Sequence, residues 1–449
     1  MTRPPRPASS AVPAASSAAR PDRKAQPDRK AQPARPTLRG AWLGQWNSAV
    51  TSYYVLLGAT VLLLVLGLVM VLSSSSIDSL ADGKSAYSVF LNQAKFALMG
   101  LPFMIVAMHL RPAVYKRIAW PALIFAICLQ LLIFTPMARG EKGNTSWVYL
   151  GGGITIQPSE LAKVALAVWL GVVLARKLPL LHDWKHALVP AVVPGSLAVI
   201  TLVLAGKDLG TALILIMLVA GALFVAGVPL RVFGVLAAGT GVVVALLAST
   251  ANRKGRILEL FSSADPAGAG YQVKRGLEGL GTGGLTGVGL GAGSEKWSYL
   301  PEAHNDFIFS VIGEELGLLG TLLVLGLFAL LGVGMVRVIR RHPDPMVKIT
   351  TGALACWIIG QALINIGVVI GVIPVIGVPL PLISAGGSAL VATMLALGIL
   401  ISFARDEPGA REALAARPSV VRKSIAVVGS ATWRRRAHTH GPSGNNEHG

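Results

Sequence analysis

The sequence predicts an all-α polytopic membrane protein with about ten transmembrane helices. Three observations carry this. Only 14% of the 449 residues are charged while 53% are hydrophobic, and the mean hydropathy is +0.63. A soluble domain carries roughly 25% charged residues. Apolar runs near the ~20 residues needed to cross a bilayer fall at about 53–74, 89–108, 118–136, 159–176, 187–205, 210–227, 232–249, 307–336, 349–370 and 386–403. Lys and Arg gather in the short loops "HLRPAVYKR", "ARKLPLLHDWKH" and "RVIRRHPDPMVK", as cytoplasmic loops do. Placing these inside puts both termini in the cytoplasm. A large outer loop, 250–306, then separates spans seven and eight.

The net charge of +19 does not indicate nucleic-acid binding. It lies in two polar tails and in short loops, and no recognition module is visible. Residues 1–50 are rich in Pro, Ala, Ser and Arg and contain the duplication "PDRKAQPDRKAQ". They read as a disordered basic cytoplasmic tail. Residues 405–449, with "WRRRAHTH", read likewise. Between them, 51–404 is the membrane domain. The first apolar run follows about fifty polar residues and so reads as a retained span rather than a cleaved signal. Cys128 and Cys356 both sit in apolar runs and read as small buried hydrophobes.

The strongest chemical signal is "YLPEAHNDFIFSVIGEELGLLG", residues 299–320. Acidic groups are expensive near lipid, yet Glu302, His304, Asp306, Glu314 and Glu315 gather there. In a helix starting near Asn305, Asp306, Ser310 and Glu314 share one face. Asp306 would lie about 15 Å outward of the purely apolar sequence that starts at Leu316. It reads equally as a helix cap and as an accessible carboxylate. Glu302, His304 and Asp306 are also a conceivable site for a divalent cation (Mg or Mn), without a recognised metal spacing.

Three further motifs are polar. "ITIQPSELAK" opens the fourth span; Lys163 either pairs with Glu160 at i, i+3 or faces a cavity that receives an anion, and its outer-half position favours the second. "GKDLGT" places Lys207 and Asp208 in a tight turn, where Lys207 is a second candidate for a phosphate. "GVPLPLISAGGSAL", with Ser388, is a Pro- and Gly-rich entry to the tenth span, compatible with irregular backbone at membrane depth. Gly279, Gly281 and Gly284 match GxGxxG without a surrounding βαβ unit. They read as turns and close backbone approach, with room for a phosphate or sugar.

Together, "QPSELAK", "KDLGTALI", "KWSYLPEAHNDFIFSVIGEELG" and "INIGVVIGVIPVIGVPLPLISAGGSAL" resemble the SEDS family of membrane peptidoglycan glycosyltransferases, over roughly residues 50–404. The match is closer to the family's division member than to its elongation member. The resemblance implies a SEDS-type bundle of ten spans at the septal plasma membrane. It implies polymerisation of lipid II on the outer face, with a class B penicillin-binding transpeptidase and other divisome membrane proteins as partners. The family's essential aspartate corresponds to Asp306 and its lysine after QPSE to Lys163. Asp306 is then the candidate general base, and Lys163, Lys207, Arg275, His304, Glu302 and Ser388 are candidates for the pyrophosphate and sugars. Glu160, Asp208, Ser310 and Glu314 are supporting polar groups. Ser146, Ile376, Ala385 and Ala389 depart from the family pattern. The alternatives are a lipid II flippase, whose polar groups should cluster at the midplane, and a non-catalytic divisome scaffold.

Overall fold

The computed structural model describes residues 48–416 apart from 82, 84, 142–143, 152–153, 182, 184, 187–188, 190, 249–268 and 294–303. Glu302, the duplicated hexapeptide and the "WRRRAHTH" segment lie outside the described residues.

Each predicted apolar run carries helix among its described residues, though the run 187–205 is broken at Val193 (φ −116°, ψ 122°) and its α-helix covers only Leu197–Ala205. The helices are α1 (Thr51–Ala81), α2 (Ser88–His109), α3 (Pro112–Leu131), α4 (Pro158–Lys177), α5 (Leu197–Ala205), α6 (Leu209–Val225), α7 (Leu230–Ala248), α8 (Ala269–Thr282), α9 (Ile308–Arg341), α10 (Pro345–Val369), α11 (Gly387–Arg405) and α12 (Ala410–Ala416). Among the described residues six helical segments are long and apolar enough to cross a membrane: Thr51–Ser76, Ser88–His109, Pro112–Phe134, Ile308–Arg341, Pro345–Val369 and Gly387–Arg405. The segments Val192–Ala205, Leu209–Val225 and Leu230–Gly241 are shorter.

α4 spans 20 residues but carries Glu160, Lys163, Arg176 and Lys177. It is buried on nearly every side, which makes it the centre of the bundle. α4 packs on α3, α10 and α6, α10 on α6 and α9, α9 on α1, and α11 on α2 and α1. With lipid outside, close packing rather than hydrophobic exclusion must join the helices. Accordingly Gly221 lies against Cys356 and Gly398 against Met104 and Ala107, where any side chain would collide. Leu62, Val65, Leu98, Phe103, Leu319 and Leu322 are large, apolar and exposed, as a lipid-facing surface requires. Neither cysteine is fully buried: Cys356 is half-buried against Gly221, and Cys128 is exposed on α3. A thiol is apolar enough for that surface, so its place in an apolar run did not imply burial.

Two features were not anticipated. The segment after α3 forms a three-stranded antiparallel sheet, β1 (Ala138–Glu141), β2 (Asn144–Gly151) and β3 (Ile154–Ile156), in the order β1-β2-β3. Along β2, Ser146 and Val148 are buried while Trp147 and Tyr149 are half-exposed, the period-two alternation of a strand. The helical class holds with this small sheet added at one end. Within the predicted C-terminal tail, α12 docks on α11 with Ala410 fully buried.

α9 is not one straight helix. Gly317 breaks it with φ 66° and ψ −163°. The loop after α8 fills the break: Leu318 N and Leu319 N donate to the carbonyls of Gly284 (2.9 Å) and Leu285 (3.2 Å). In return the carbonyls of Glu314 and Glu315 accept from Val288 N (3.0 Å) and Gly289 N (3.1 Å). Irregular backbone is tolerated at such depth only when protein satisfies it in this way. A Cβ at Gly287 or Gly317 would overlap the other strand's backbone. The glycines therefore serve close backbone approach, and Gly279 and Gly281 lie inside α8.

Candidate active site

Asp306 sits in a turn, residues 304–307, immediately before α9. It is half-buried. The N-cap position of α9 belongs to Phe307, which makes no side-chain cap bond. Asp306 thus precedes the cap position. The break at Gly317 also removes the straight axis on which a 15 Å outward displacement was reckoned. Ser310 and Glu314 do lie one turn apart on α9, but Asp306 is off the helix.

The backbone of the turn is held from three sides. Asn365 Nδ2 on α10 donates to the Asp306 carbonyl at 2.8 Å. Ser384 Oγ donates to the Asn305 carbonyl at 2.6 Å. Ala385 N donates to the His304 carbonyl at 3.0 Å. Ser384 and Ala385 belong to the Pro- and Gly-rich segment that enters α11. The same segment receives Asn365 Nδ2 at the Val378 carbonyl (2.9 Å) and Gln361 Nε2 at the Pro379 carbonyl (2.8 Å). Gln93 of α2 clamps it further, donating to the Ser384 carbonyl (3.1 Å) and accepting from Gly386 N (3.1 Å). A backbone that cannot pair with itself is thus satisfied by amide side chains from two helices. Gly377 of this segment is the neighbour of the Asp306 carboxylate: a Cβ there would lie 3.7 Å from Oδ2.

Lys163 occupies a different environment. It is 2% exposed, with Nζ 2.9 Å from Glu160 Oε1 and 3.3 Å from Gln361 Oε1. The ammonium also lies 4.6 Å from the centre of the Trp357 ring, a cation–π contact. The i, i+3 pair forms, and the lysine's charge is satisfied inside the bundle rather than at an open cavity. Gln361 Oε1 accepts from Trp357 Nε1 as well, at 2.8 Å, so its Nε2 is aimed at the loop. Lys163 and Asp306 meet through the sequence Lys163, Gln361, the 378–380 backbone, Asn365 and the Asp306 carbonyl.

The remaining candidates divide. Asp208 caps α6, accepting from Thr211 N at 3.0 Å and from Gln157 Nε2 at 2.8 Å. Gln157 N in turn donates to Ser388 Oγ at 3.2 Å, which brings the fourth span's entry to the start of α11. Lys207 is exposed, in the left-handed turn conformation (φ 63°). Arg275 lies on α8, one-third exposed, bonded to Tyr271 (3.1 Å) and Glu278 (2.9 Å). Ser310 Oγ ties α9 to α8 through the Gly276 carbonyl at 2.6 Å. Glu314 and Glu315 are buried, and Glu315 Oε2 accepts from Ser73 at 2.5 Å. His304 is half-buried beside Asp306. Ser146 is buried in β2, and the Ile376 carbonyl lies against Gly210 at the start of α6.

Sequence reasoning assigned no role to Gln93, Gln361, Asn365 or Ser384. The available signal was an amide inside an apolar run, which must find partners. Gln361 and Asn365 are spaced i, i+4 and so reach the same loop.

Fold and site together define a multi-pass helical membrane protein with a half-buried aspartate held at one end of its bundle. Residues 54–408 match the model of the cell cycle protein family that takes in FtsW, RodA and SpoVE, and the chain belongs to that family. It is 39% identical over 387 residues to a Mycobacterium tuberculosis protein named probable peptidoglycan glycosyltransferase FtsW, covering 85% of this chain and 73% of the relative. It is 34% identical over 354 residues to the stage V sporulation protein E of Bacillus subtilis, covering 77% and 95%. Among solved structures it resembles a chain from a peptidoglycan synthase complex that coordinates polymerization and crosslinking, with TM-score 0.64 and 28% identity over 78% of this chain and 97% of that one. The rod shape determining protein RodA of Thermus thermophilus gives TM-score 0.59 and 27% identity over 79% and 97%.

Proposed function

We propose that this chain is a peptidoglycan glycosyltransferase that polymerises lipid II into β-1,4 glycan strands during septal wall synthesis. The observation that supports this most is the Asp306 turn: a half-buried aspartate on a backbone fixed by Asn365, Ser384 and Ala385. In the proposed step Asp306 takes the proton from the acceptor's 4-hydroxyl as that oxygen bonds to the donor's anomeric carbon. The bond from that carbon to the lipid pyrophosphate breaks, and the pyrophosphate leaves with the electron pair. Inversion converts the α-linked donor to a β-linkage, and one base suffices for it.

Positive charge must meet the leaving group. In this reading the exposed Lys207 and the one-third-exposed Arg275 supply it. Lys163 acts here as a positioning residue, holding Gln361 against the loop. Among the described residues no group of three His, Cys, Asp or Glu side chains that could hold a metal ion is assembled; Glu302, which with His304 and Asp306 would hold a Mg or Mn ion, lies outside them.

The topology belongs to the same reading: ten spans, the Asp306 end outward, residues 1–50 and 405–449 as cytoplasmic tails around a 51–404 membrane domain. A class B penicillin-binding transpeptidase and other divisome membrane proteins are the proposed partners, at the septum. Against a flippase stands the gathering of Asp306, Asp208, Lys207 and the Glu160–Lys163 pair at one end of the bundle. The test is reconstitution with the transpeptidase and labelled lipid II. Polymer without net lipid II transfer supports the enzyme; transfer without polymer overturns it.

A further inference from the structure

At the end of the bundle opposite Asp306 lies a cavity of about 280 Å³. Its walls are the last residue of α2 (His109), the corner before α3 (Arg111), the last turn of α11 (Ser402 and Arg405), and α12 (Arg411 and Leu414). Among the described residues no acidic one lines it. α11 begins beside the Asp306 loop, and the 17 steps from Ser388 to Arg405 span about 26 Å at 1.5 Å per residue, close to the hydrocarbon thickness of a bilayer. The cavity therefore opens at the far membrane surface and takes no part in the chemistry proposed above.

We propose that this cavity binds the phosphate headgroup of an anionic phospholipid. Three arginines keep their charge at any physiological pH and match phosphate oxygens with paired N–H donors. His109 Nδ1 is engaged with the Ile105 carbonyl at 2.8 Å, which leaves its Nε2 for a ligand. Asp406 pairs with Arg411 and offsets one charge, so Arg111 and Arg405 supply most of the attraction. The corner that carries Arg111 is held in place: Ser402 Oγ donates to the Leu110 carbonyl at 2.9 Å, and Tyr115 OH to the Ala107 carbonyl at 2.6 Å. Apolar features select a lipid over a free anion. Leu110 and Leu414 form part of the wall, and α2 continues from it with Phe103 and Val106, 52% and 58% exposed, towards the bilayer interior. Basic pockets between helix ends at a membrane surface are suited to anionic headgroups. An occupant here would bridge α2, α11 and α12.

The test uses the purified full chain in detergent with equal phosphatidylglycerol and phosphatidylcholine, retained lipid being read by native mass spectrometry. Wild type should retain phosphatidylglycerol roughly tenfold over phosphatidylcholine, given ~1 kcal/mol per basic residue. Arg111→Gln with Arg405→Gln should abolish that preference, with Arg411→Gln alone causing a smaller loss that does not depend on the double variant folding. Arg340→Gln, an exposed cation at the same end outside the cavity, should leave it intact. Three results would overturn the proposal: no preference in wild type, equal loss in Arg340→Gln, or release of the lipid by millimolar glycerol 3-phosphate.

Discussion

The Asp306 turn and the Glu160–Lys163 pair stand at the same end of the bundle, and both offer charge at the head of an apolar run. Their surroundings differ. The turn that carries Asp306 has its backbone fixed by three hydrogen bonds, at the carbonyls of His304, Asn305 and Asp306, and Asp306 itself is only half-buried. Lys163 is 2% exposed and enclosed by Glu160, Gln361 and the Trp357 ring. A base must meet its substrate, so it needs a rigid support and an open face. A sealed ion pair meets nothing and serves to hold parts together. The second region supports the first, because Gln361 touches both the lysine and the loop that holds the turn.

Four perturbations sharpen this contrast. The largest effect is expected at Gly317→Val. It forces a β-branched side chain into a left-handed conformation and into the Gly287 backbone. A cost above about 4 kcal/mol, the range reserved for severe core damage, should leave little folded protein in a detergent thermal-shift assay. Lys163→Met should cost about 3–5 kcal/mol, because it strands the buried Glu160 carboxylate. Adding Glu160→Gln should recover part of that. A Lys163 that acts mainly on substrate would instead lower glycan synthesis without moving the melting temperature. Asn365→Ala leaves two carbonyls without their donor and should cost about 1–3 kcal/mol. It should also slow polymerisation by roughly 100-fold, since misplacing a reacting group costs that much.

The smallest effect is expected at the far end, where His342 is 3% exposed with Asp406 3.6 Å away. Burial lowers its pKa from 6.5, outweighing the opposing pull of Asp406 and Asp344. Nδ1 accepts from Asp344 N at 3.1 Å, which suits the neutral ring. The unfolded chain therefore binds more protons below pH 6.5, and stability should fall as pH drops through that window. His342→Gln should flatten this slope in melting curves from pH 7.5 to 5.5 while leaving polymerisation at pH 7.5 unchanged.

Much of this was legible in the sequence for physical reasons. Long apolar runs have few alternatives to helices, and among the described residues each carries one, the run 187–205 in shortened form. Asp306 stood out because carboxylates are expensive beside lipid. The sheet was missed because β1 and β3 have only four and three residues and β2 (Asn144–Gly151) is bounded by glycines, so the segment resembled a loop. The break in α9 was missed because Gly317 alone does not announce one; it needs the backbone of residues 284–289, brought in by tertiary packing. For Lys163, spacing offered both the pair and the exposed cation. Only the arrival of Gln361 and Trp357 from α10 decides between them.

The central claim is that Asp306 acts chemically rather than as scaffolding. The most direct measurement is glycan polymer formed from labelled lipid II by Asp306→Asn, reconstituted with the proposed transpeptidase partner. The substitution leaves the backbone carbonyl that binds Asn365 in place, so the melting temperature should match wild type. Polymer formation should fall by roughly 10²–10⁴-fold, the contribution of a positioned general base. Polymer of wild-type yield and length from the folded variant would contradict the account.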